Sequence, residues 1–79
     1  MLELTRIEHQ LAKAEKWVAE GKRHLQRQQE IVADLERDGH DTTQSRVLFA
    51  TFETSLAMHI AHRDWLRAEL MAVQRAAQK

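Results

Sequence analysis

The chain has 79 residues, with no cysteine, no proline, two glycines, and acidic and basic side chains in equal number, 12 of each. Those figures exclude a disulfide framework and thiolate chemistry, and they leave one domain near the size at which a single core becomes marginal. Zero net charge argues against the strong overall phosphate attraction of many nucleic-acid binders, and no apolar run approaches the ~20 residues that span a bilayer.

In chain order, the first element is a long helix. Ala, Leu, Glu, Gln, Arg and Lys, the good helix formers, dominate, and no proline breaks them. A helix is expected over about 2–38, although Thr5-Arg6-Ile7-Glu8 also reads as a capping box that would start it at Thr5. Leu4, Ile7, Leu11, Ala14, Val18, Gly21, Leu25, Gln28, Val32 and Leu35 recur at alternating steps of three and four, the pattern of a coiled-coil-like seam.

The one plain break follows, over about 39–41. Gly39 is suited to the left-handed conformation that ends a helix. Asp41 is the expected cap of the next helix, with Gln44 three residues on completing a capping box.

A second helix is expected over about 42–77. Its seam is Phe49, Phe52, Leu56, His59, Arg63, Leu66, Leu70, Val73 and Ala77. Folding back around His40 sets Ile7 opposite Val73, Leu11 opposite Leu70, Ala14 opposite Leu66, Leu25 opposite Leu56 and Val32 opposite Phe49. Two patterns read separately thus converge on an all-α antiparallel hairpin. Straight projection also places Gly21 against His59, Val18 against Arg63 and Gln28 against Phe52. These polar seam residues (Gly21, Gln28, His59 and Arg63) are expected to set register and oligomeric state.

One hairpin covers each seam residue on one side only, so a chain this short needs more. Met58, Ala61, Trp65, Ala68 and Ala72 form a second stripe on the second helix, and Trp17 and Ile31 flank the first seam. Together they predict a homodimer forming a four-helix bundle, with the Trp65 stripe in or beside the interface. The helices of another protein are the other expected partner for such a hairpin.

No Gly-rich phosphate loop, nucleophile elbow or long closing loop is present, so no enzymatic activity and no cofactor are expected. His59 and His62, with His24 and Glu20 across the hairpin, are too weak a set to predict a metal site. His62-Arg63-Asp64 looks like the phosphoacceptor turn of dimeric two-component hairpins. It departs from that pattern in lying on the second helix, in the interposed Arg63 and in the missing proline. Lys13, Lys16, Lys22, Arg23 and Arg27 concentrate positive charge on the first helix, an alternative reading as an RNA-binding hairpin dimer of the Rop type. Glu15 and Glu20 dilute that patch. Met1-Leu2-Glu3-Leu4 begins no recognisable signal peptide, no membrane association is expected, and the lack of cysteine suits a cytoplasmic setting.

The run Glu36-Arg37-Asp38-Gly39-His40-Asp41-Thr42, followed by Leu48, Thr51-Phe52-Glu53, Leu56, His59 and His62-Arg63-Asp64, resembles a set of short uncharacterised bacterial proteins. Val18-Ala19-Glu20-Gly21 and Arg27-Gln28-Gln29-Glu30-Ile31-Val32 fit the same pattern, so the resemblance covers most of the chain. It implies a small intracellular bacterial protein and carries over no activity, ligand or catalytic residue.

Overall fold

A computed structural model describes residues 2–78. Helix α1 spans Leu2–Arg37 and helix α2 spans Thr43–Ala77, packed as an antiparallel hairpin. It measures 63 × 14 × 14 Å, and its radius of gyration is 17.9 Å. A compact chain of this length would have about 12 Å, so the hairpin is extended and has no third layer.

Thr5 lies inside α1 and does not start it. The C-terminus of α1 closes as a Schellman turn. The Gly39 amide donates to the Glu36 carbonyl at 3.1 Å, and the His40 amide donates to the Leu35 carbonyl at 2.9 Å. That geometry needs a left-handed residue, and Gly39 supplies it at φ 77°.

The start of α2 differs from the expected capping box. Asp41 Oδ1 accepts from the Thr43 amide at 2.9 Å and from the Thr43 hydroxyl at 2.7 Å. Thr42 occupies the N-cap position, without a side-chain capping bond. With the helix beginning one residue later than expected, Gln44 falls out of step with Asp41 and the reciprocal box does not form. The two hydrogen bonds from Thr43 hold the Asp41 carboxyl below its ordinary 3.8, the side-chain bond contributing most.

The seams carry the burial. Ile7, Ala14, Val18 and Leu66 are buried, together with Gln28, and most remaining seam positions are half-buried. Ala77, expected at the end of the second seam, is the last helical residue and lies exposed. Facing residues interdigitate and do not meet head on, as knobs fill holes between opposing side chains. A Cβ on Gly21 would meet Leu56 first, and Gly21 shares its groove with both Leu56 and His59. His59 lies beside Trp17, with ring centroids 5.8 Å apart, and Phe52 meets His24 at 6.1 Å. The Gln28 amide donates to the Ser45 carbonyl at 3.2 Å, which satisfies a buried polar group near the turn. Arg63 keeps its side chain largely covered and turns its guanidinium out to Asp64 at 3.1 Å.

Candidate interaction surface

The hairpin has four sides of different chemistry. One flank is ionic: Glu15 pairs with Arg67 at 3.3 Å, and Glu36 pairs with Arg46. All four side chains are about half exposed, so these pairs orient the helices more than they stabilise them. The opposite flank is aromatic. Trp17, Gly21, His24, Phe52, Leu56 and His59 line a groove between the helices, and Trp17 also lines a second hollow with His62.

The outer face of α1 is charged. Lys16 and Arg23 stand exposed along it, while Arg27 pairs with Glu30 at 3.5 Å. Lys22 belongs to the row of Glu15 and Glu36 on the ionic flank. The basic residues therefore spread over two sides of α1 and alternate with acids.

The outer face of α2 is apolar for most of its length. Val47, Thr51, Thr54, Met58, Ala61, Trp65, Ala68 and Ala72 follow one another at alternating steps of four and three, and all are exposed. Val47 is 64 % exposed, Met58 68 % and Trp65 59 %. Ala50, Ala57, Asp64 and Met71 run beside them, and Asp64 is the one charge in either row.

Two residues of this stripe escape a reading based on hydrophobicity alone. The Thr51 hydroxyl donates to the Val47 carbonyl and the Thr54 hydroxyl to the Ala50 carbonyl, each at 3.1 Å. With its hydroxyl turned back onto the helix, a threonine spends its polar group locally and offers its methyl outward. The stripe therefore reaches from Val47 to Ala72, eleven residues further toward the turn than the Met58–Ala72 segment that the sequence marks.

The structure separates the side chains grouped as interface candidates by sequence. Met58, Ala61, Trp65, Ala68 and Ala72 share the outer face of α2, whereas Trp17 and Ile31 stand on the α1 side of the aromatic flank. Trp17 is 43 % exposed and held by His59; Ile31 is half-buried. Among the described residues no three His, Asp or Glu side chains come together in a way that would hold a metal ion. Neither helix is long and apolar enough to cross a membrane.

The exposed area is the quantity that characterises this surface. The chain presents 6184 Å² to solvent, against about 4,900 Å² for a compact monomer of 9.2 kDa. The excess, roughly 1,300 Å², follows from the extended two-helix shape, which leaves much of both helices in water. Comparisons with protein-family models, with curated proteins and with solved structures find no match to this chain.

Proposed function

We propose that this protein is a non-enzymatic interaction module that works by association through the outer face of α2, with a second hairpin as its first partner and other helical proteins as further ones. The observation that carries this reading is the uncharged stripe from Val47 to Ala72, with Met58 and Trp65 more than half exposed. A helix that is apolar on both faces is normally covered on both. Here α1 covers one. Burying a side chain such as Met58 or Val47 is worth about 1.5–3 kcal/mol, so leaving the other face in water forgoes a sizeable part of the stability of a small domain.

Self-association comes first because four buried apolar residues among the described ones make a thin core for a chain without a disulfide. A pair of hairpins brings four helices together and gives α2 a neighbour on each side. The nucleic-acid alternative has less support, since the basic residues divide between two sides of α1 and alternate with Glu15, Glu20 and Glu30.

Sedimentation equilibrium across the micromolar range tests the reading. The expected result is a dimer for the wild type and a monomer for Trp65→Glu at the same concentration. A wild type that stays a stable folded monomer at about 100 µM, far above ordinary micromolar dissociation constants, overturns self-association.

A further inference from the structure

We propose that the second copy docks with its α2 antiparallel to the first, about a two-fold axis level with the peptide between His59 and Ile60. This arrangement rests on the association reading above and adds to it a face, a direction and a register.

The stripe is self-complementary in that register. In an antiparallel pair, a residue of one row lies beside a residue of the other row across the axis. Met58 of one copy then lies beside Ala61 of the other, Thr54 beside Trp65, and Thr51 beside Ala68. Every large side chain is set against a small or slender one, as close packing of two helices requires. The larger anchors, Met58 and Trp65, fall near the centre of the contact, where interface energy concentrates.

Charge and length select this register over its neighbours one heptad away. Here Asp64 faces Ala57 of the other copy, and Glu69 faces Leu48, so no acid opposes an acid. Moving one heptad toward the C-terminus sets Asp64 against Asp64 across the axis, and two buried like charges cost several kcal/mol. Moving one heptad the other way leaves Ala72 beyond the start of the facing helix. The chosen register overlaps α2 from Thr43 to its last turn.

The result is a four-helix assembly with the two α2 helices inside and the charged faces of α1 outside, in water. A helix of 35 residues is ~50 Å long and ~10 Å wide, a footprint of about 500 Å² per copy. This lies at the small end of specific interfaces, so the dimer forms at micromolar concentration and not at nanomolar.

The absence of native cysteine makes disulfide trapping a direct test. Thr51→Cys and Ala68→Cys variants, each retaining its helix by circular dichroism, are oxidised separately and as an equimolar mixture at about 100 µM, above the expected micromolar dissociation constant. The expected result is a covalent dimer in the mixture and at least tenfold less in either variant alone, because within one symmetric dimer each position lies ~25 Å from its own copy, far beyond disulfide reach. Val47→Cys mixed with Ala72→Cys should behave the same way, which guards against one pair failing to fold. Efficient linking of each variant with itself means a parallel arrangement and overturns the proposal. No linking in either mixture, with the wild type dimeric by sedimentation, overturns the face and register while leaving association intact. A monomeric wild type overturns both.

Discussion

Leu56 Cδ1 stands 3.1 Å from the position that a Cβ on Gly21 would occupy, whereas the same position on Gly39 is open, with φ at 77°. The two glycines of the chain therefore differ in what a side chain added to them would meet. At Gly21 the backbone is ordinary helix, and the cost of glycine there is about 1 kcal/mol of helix propensity. The atom in the way is the end of a flexible, half-buried side chain beside an open groove. Gly21→Ala is expected to stabilise by about 0.5 kcal/mol once Leu56 turns aside, and Gly39→Ala to destabilise by about 1 kcal/mol through its left-handed backbone. Urea denaturation of the two variants checks both signs, and a destabilised Gly21→Ala shows that Leu56 has no room to move.

His59 packs its ring on Trp17 from within the seam and is half-buried there. Replacing it with an apolar side chain of similar size removes the cost of desolvating an imidazole. His59→Leu is expected to raise the thermal midpoint by a few degrees, the effect of about 1 kcal/mol in a domain this small. Trp17→Ala acts in the opposite direction, since it strips the cover from the same groove. An unchanged midpoint in both variants would show that the aromatic flank contributes nothing to the hairpin.

Trp17 and Trp65 should separate in their effects. Trp65 projects from the outer face of α2, while Trp17 is engaged within the hairpin. Trp65→Glu is expected to weaken association at least 30-fold, the scale of a ~2 kcal/mol anchor, and Glu30→Ala on the outer face of α1 to leave it unchanged. Trp17→Ala lowers hairpin stability and affects association only through it. Paired sedimentation and thermal melts distinguish the three, and equal loss of association at Trp65 and Glu30 contradicts the placement of the interface.

Asp41 provides the pH-dependent contribution. Both its hydrogen bonds from Thr43 favour the charged form and lower its carboxyl below 3.8. A group lowered in the folded state adds stability above its unfolded value and loses it as pH falls through the folded one. Asp41→Asn is therefore expected to be less stable than the wild type at pH 7, the gap closing below about pH 4 as the wild-type carboxyl protonates. Thermal melts of the pair from pH 7 to pH 2.5 check it, and a gap independent of pH rules out the titration of Asp41 as its source.

Much of the fold was legible because helix formation and seam spacing are local. Alternation of three and four steps placed Ile7, Ala14, Val18 and Leu66 on the buried line before any partner was known. The turn was legible for the same reason, through Gly39. Its detail was not. Asp41 was recognisable as a capping residue, but where α2 begins depends on how the turn closes, and a shift of one residue transferred its bonds to Thr43.

How the seam side chains fill the space between the helices was beyond the sequence. Straight projection pairs residues by height along the helix, whereas packing pairs them by the holes that neighbouring side chains leave. Leu56 Cδ1 occupies the space that the missing Cβ of Gly21 leaves, and His59 lies beside Trp17. The extent of the outer stripe was hidden in a different way. Thr51 and Thr54 count as polar by composition, and only their hydrogen bonds to the backbone of α2 make them part of an apolar surface. The sequence by itself determined two amphipathic helices and the break between them, because spacing and backbone preference act over a few residues. The tertiary structure decided which flank is ionic, which is aromatic and which face of α2 stays open, because those depend on where the second helix lies against the first.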